Sequence, residues 1–157
     1  MCEKMLENFL ASLFVGFGVF CGVFLAFIAP EELKPGNKYF VFFRTLLFVS
    51  LVAVLVFSFY TSNLLVVLFC LLSLLDLFLN KISEILRFGF LGLFFYFGSQ
   101  IDSLSILVYS LIFLYGLPAG SLLAHKESGK RWFFVLLRAL IPYLVFLLVA
   151  NTAATLF

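Results

Sequence analysis

A chain of 157 residues that is 65% hydrophobic, 20% aromatic and only 11% charged, with a mean hydropathy of +1.24, is too apolar to hide its side chains from water. A soluble domain of this length buries only about 68–70% of the surface its unfolded chain exposes, so the remaining Phe and Leu would form adhesive patches. The net charge of +2 is too small, and the basic residues too scattered, to suit a nucleic-acid partner.

Lipid is the solvent that suits this composition. In hydrocarbon every backbone polar group must find a partner within the protein, which here demands helices. The expected fold is therefore all-α: a polytopic membrane helix bundle of six transmembrane helices in one integral membrane domain over 1–157. The predicted spans cover 9–29, 39–60, 64–79, 85–99, 104–124 and 132–157. A span needs about 20 residues, with a range of about 17–25. The third and fourth segments are short by that measure. The sixth, at 26 residues, would be about 39 Å long at about 1.5 Å per residue and must tilt, kink or protrude.

In chain order, the first segment follows Glu3, Lys4 and Glu7 and shows no small-residue cleavage site before Pro30, so it is read as a retained span. Pro30 is expected to end it, and Pro35-Gly36-Asn37 to turn the chain into the second. Asp102 and Ser103 can start the fifth helix, and Ser128-Gly129 precede the sixth. Every lysine and arginine except Lys4 falls in the first, third and fifth loops or at the adjoining helix starts. These are Lys34, Lys38 and Arg44; Lys81 and Arg87; and Lys126, Lys130, Arg131 and Arg138. The positive-inside rule puts those loops in the cytoplasm of a multi-pass cell-membrane protein, with both termini on the non-cytoplasmic side. Tyr39 and Trp132 at the inner ends, and Tyr60 and Tyr96 near the outer ends, suit the headgroup layers.

The hairpins resemble one another. Asn37-Lys38 precedes Arg44 by five intervening residues, Asn80-Lys81 precedes Arg87 by the same spacing, and Lys130 precedes Arg138 more loosely. Three tandem helical hairpins would explain this, as internal repeats do in other membrane folds. The bland alternative is that every cytoplasmic helix start attracts basic residues.

Arg44, Asp76, Arg87 and Arg138 are expected at one level inside the cytoplasmic ends. An unpaired charge at a helix centre costs about 2.5–3.5 kcal/mol on insertion scales, so such groups pair or face water. A cluster of Asp76 with these arginines is the leading candidate for substrate binding, against the simpler reading that the arginine stems snorkel to the headgroups. Pro118 and Pro142 are expected to kink the fifth and sixth helices, each freeing the carbonyl four residues earlier. That would draw Tyr115 and Tyr143 towards a shared polar pocket near the midplane. Gly18 and Gly22 in the first helix, and Gly116 and Gly120 in the fifth, form GxxxG patterns that mark close helix packing.

No cofactor or metal site is expected. His125 is the single histidine, which removes sites built on histidine pairs, and Cys2, Cys21 and Cys70 have no recognisable spacing. The lack of GxSxG, of a phosphate-cradling glycine loop and of matched intramembrane aspartates weighs against an enzyme. Transport or permeation of a small anion or lipid-like solute is the first expectation. A structural or accessory subunit of a larger membrane complex is the second, and a lipid-modifying enzyme using Asp76 as acid or base is the weakest. The expected partners are membrane lipids with anionic headgroups and either further copies of the chain or a larger assembly.

Overall fold

The computed structural model describes residues 2–60, 64–79, 84–101, 103–126, 134, 136–137, 140–145 and 147–148. Side chains are described in the same stretches except at 2–9, 30, 32–34, 65, 76–79, 84–86 and 126. The fold is all-helical, with no strand among the described residues. Its helices are α1 (Cys2–Ile28), α2 (Pro30–Phe59), α3 (Leu64–Leu79), α4 (Glu84–Ser99) and α5 (Ser105–Lys126). A sixth, α6, is described in parts between 134 and 148. Among the described residues, three helices are long and apolar enough to cross a membrane, over Leu10–Ile28, Pro35–Phe59 and Ser105–His125, and a shorter apolar stretch covers Val66–Leu75.

The chain does not loop between the first two helices where Pro35-Gly36-Asn37 was expected to turn it. Ala29 alone is non-helical, and α2 starts at Pro30 and runs through Pro35. Pro30 stands at the first helical position, where a missing N–H costs nothing. Pro35 forfeits one early hydrogen bond, to the carbonyl of Glu31. Glu31, Pro35, Asn37 and Lys38 are exposed, so water can satisfy that carbonyl. The result is a helix of 30 residues, about 45 Å long.

In α1 the two faces differ in size, not polarity. Its buried residues are Ser12, Val15, Gly16, Gly18, Val19, Gly22, Val23 and Ala26, and its exposed ones include Phe14, Phe17, Phe20, Phe24 and Phe27. Helices in lipid gain nothing by hiding Phe from hydrocarbon, but they gain dispersion and hydrogen bonding when small residues let their backbones approach. The small face of α1 meets α5, and among the described residues this is the most extensive helix pair. A β-carbon on Gly18 would strike the carbonyl of Phe113, and one on Gly22 the carbonyl of Leu117. One on Gly116 would lie 2.6 Å from the amide nitrogen of Val19, and one on Gly120 would strike the Val19 carbonyl. The matched order, 18 with 113 and 22 with 117, makes α1 and α5 parallel.

Ser121 locks the seam. Its one hydroxyl proton is shared between the Gly22 carbonyl across the interface, at 2.8 Å, and the Leu117 carbonyl of its own helix, at 3.0 Å. Ser121→Ala is expected to destabilise the bundle by about 0.6 kcal/mol, the average for such bonds between membrane helices. Unfolding by SDS titration in mixed micelles measures the difference.

Sequence neighbours are not the chief spatial neighbours. After α1–α5 the next largest contact is α2–α5, and among the described residues α1–α2 contact is slight. Three self-contained hairpins would make α1–α2 a principal contact. An aromatic layer fills the other side of the core. Phe48 of α2 lies 5.8 Å, between ring centroids, from both Phe94 of α4 and Tyr115 of α5. Phe69 of α3 sits 5.3 Å from Phe90 and 5.9 Å from Phe94. Phe95 stacks on Tyr109 at 4.3 Å.

Candidate functional site

The candidate charges begin from Phe48 and Phe94. Arg44 is one turn before Phe48 on α2, and Arg87 is about two turns before Phe94 on α4, so both lie on the same flank of their helices as the aromatic layer. Phe48–Phe94 and Phe59–Phe97 contacts follow the same order along both helices, and both arginines therefore stand at the same end of that layer. Arg87 is only 4% exposed, whereas Arg44 is half-buried. Each engages another group of the protein. A snorkelling side chain keeps its charged end in the polar zone; the Arg87 side chain is enclosed by the bundle.

Asp76 lies in α3, but its side chain is outside the described residues, as is Arg138 entirely. The part of the proposed charge cluster with described geometry is thus Arg44 and Arg87. Lys38, by contrast, is exposed on the early part of α2, and so is His125 near the end of α5.

The two tyrosines serve different interfaces. Tyr115 is buried against Phe48. Tyr143, 3% exposed, donates its hydroxyl proton to the Ser12 carbonyl of α1 at 3.3 Å. Helix α5 runs without interruption through Gly116-Leu117-Pro118-Ala119-Gly120. The stretch where Pro118 was expected to kink the helix is also its closest packing surface, because the same glycines that weaken a helix admit α1. Around Pro142, residues 140–145 are helical as well.

Several residues that shape these contacts belong to no sequence motif. Gly92 of α4 lets α6 approach so closely that an added β-carbon would strike the Tyr143 carbonyl and lie 3.2 Å from the Leu147 nitrogen. Ser12, Gly16 and Ser121 act similarly at α1. Small residues recurring every three or four positions, as in Ser12, Val15, Gly16, Val19, Gly22, Val23 and Ala26, were the available signal.

Cys21 and Cys70 are free thiols. Among the described residues no three His, Cys, Asp or Glu side chains form a group that could hold a metal ion. No protein-family model matches the chain, and neither a curated protein nor a solved structure does.

Proposed function

We propose that this is a six-span membrane protein that moves a small anion or lipid-like solute, with its first, third and fifth loops in the cytoplasm. The membrane part of the reading is supported by the large apolar side chains on the outer surface, such as Phe57 at 86% exposure, Phe14 and Phe42. Water would drive those surfaces together, whereas acyl chains solvate them. The parallel run of α1 and α5 is compatible with alternating crossings. On this reading the exposed Lys38 faces anionic headgroups of the inner leaflet.

The observation that carries the transport reading is the buried guanidinium of Arg87 within an apolar bundle. An ionisable side chain enclosed among apolar helices is by default a functional feature, and a guanidinium recognises phosphate or carboxylate oxygens through paired donors. Arg44 adds a second cation on the same side of the aromatic layer, and Asp76 and Arg138 complete the proposed cluster. The accessory-subunit reading drew its motive from glycine faces awaiting partner helices. Those glycines pack against each other within the chain, which leaves that reading with less to recommend it.

Reconstitution into phosphatidylcholine vesicles tests transport. Efflux of chloride, phosphate or a fluorescent short-chain anionic lipid is expected to exceed that of empty vesicles. Rates equal to empty vesicles for all three would refute the proposal. Sidedness has its own test in a background without native cysteines. Tyr60→Cys should react with a membrane-impermeant maleimide from outside intact cells, and Lys38→Cys only after lysis; the reverse pattern would overturn the orientation.

A further inference from the structure

Between α1 and α6 lies a cleft of about 140 Å³, bounded by Leu13, Gly16, Phe17 and Phe20 on one side and by Leu140 and Tyr143 on the other. Its floor is apolar because the one nearby phenol is committed elsewhere: the Tyr143 hydroxyl points at the Ser12 carbonyl, so Tyr143 offers the cleft its ring. Its rim is exposed, since Leu13, Phe17 and Phe20 all belong to the outer surface of α1. Gly16 marks the narrow edge of the cleft, where α6 comes so near that an added β-carbon would sit 3.3 Å from the Leu140 methyl and 3.7 Å from the Tyr143 ring.

We infer that this cleft is a lipid-chain site, which takes a segment of one hydrocarbon tail from the surrounding bilayer. The inference rests on the membrane reading above. Three observations select that occupant. A cavity of about 150 Å³ with apolar walls stays dry and accepts a benzene-sized guest, so this one holds a short run of methylenes and no headgroup. Ser12 is the one polar side chain besides Tyr143 on its lining and is fully buried, so water and charged solutes would find almost no polar surface there. Its rim is continuous with the exposed Phe and Leu of α1, which in a bilayer touch acyl chains. The bound tail would fill the gap between α1 and α6 beside Tyr143, and so tie lipid occupancy to how α6 seats against α1.

The test is photolabelling of the full chain in phosphatidylcholine vesicles doped with a phosphatidylcholine that carries a diazirine midway along one tail. Adducts mapped by peptide mass spectrometry are expected to concentrate on 12–20 and 140–144, above the level at the more exposed Phe57. Gly16→Leu, which crowds the cleft at its narrow edge, and Leu13→Trp, which covers it from the rim, should each remove the cleft adducts and leave those at Phe57 unchanged. The rim variant keeps the test available if Gly16→Leu does not fold. Cleft labelling no stronger than at Phe57, or undiminished in a folded variant, would mean bulk lipid only and would overturn the inference. Loss of labelling at Phe57 in the wild-type chain would instead overturn the membrane reading itself.

Discussion

Gly22→Leu is expected to prevent α1 from seating on α5 and to give a protein that unfolds or aggregates in detergent at temperatures where the wild type is monodisperse. A β-carbon at this position would lie 2.8 Å from the Gly116 carbonyl oxygen and 2.9 Å from the Leu117 carbonyl carbon, with the Leu117 oxygen closer still. Every one of those atoms is backbone. Ordinary overpacking costs about 1–3 kcal/mol because side chains can shift rotamer; here two helices must move apart, so about 3 kcal/mol or more is expected. Separation would also break the Ser121 bond to the Gly22 carbonyl. Even Gly22→Ala should be clearly destabilised. Gly36→Ala is the control, because a β-carbon there meets only the Phe40 ring at 3.3 and 3.5 Å. Its expected effect is under about 1 kcal/mol and on the stabilising side, from the lower backbone freedom of alanine. Thermal and SDS unfolding of the purified variants measures both. A Gly22→Ala protein as stable as wild type would be incompatible with backbone contact along this seam.

On the proposed transport reading, loss of flux with retained fold is the expected result for Arg87→Gln. The side chain is enclosed, and glutamine keeps some hydrogen-bonding capacity while removing the charge. An interaction between a guanidinium and an anion that contributes about 3 kcal/mol corresponds to a rate loss of roughly 10²-fold when it is removed. Arg87→Lys should recover only part of the rate, since an ammonium is a point donor without the paired geometry. Lys38→Gln, at an exposed position, should leave flux within about twofold of wild type, as screened surface charge contributes little. The comparison requires vesicles with equal protein content and a matched elution profile for each variant. Flux that survives Arg87→Gln unchanged would show that the buried cation serves packing alone, and would remove the central support for an anion route.

These two sites differ in how they are written in the chain. The glycine pairs are visible as GxxxG in segments one and five, yet nothing in the spacing says that they face one another and not partner helices. Arg87 stands out as a charge in an apolar run, but its depth depends on which elements surround it. The cleft beside Tyr143 was invisible. It arises because Gly16 on α1 lies opposite α6, a segment more than a hundred residues later.

Composition and hydropathy by themselves determined the helical class and most element limits. Segments 64–79 and 85–99 coincide, within a residue, with α3 and α4, and 104–124 lies close to α5. Unbroken apolar runs bounded by polar residues leave the backbone little choice but internal hydrogen bonds. The proline-rich stretch after Ala29 departed from expectation because turn propensity is local and weak, and an early helical turn facing water tolerates proline. Only the tertiary structure decided that α1 pairs with α5, that Tyr115 and Tyr143 serve separate interfaces, and that Arg87 is enclosed. Hydrophobicity sorts residues between water and lipid, but it does not rank one apolar neighbour over another. Side-chain size and backbone approach make that choice, and they act only once the helices are together.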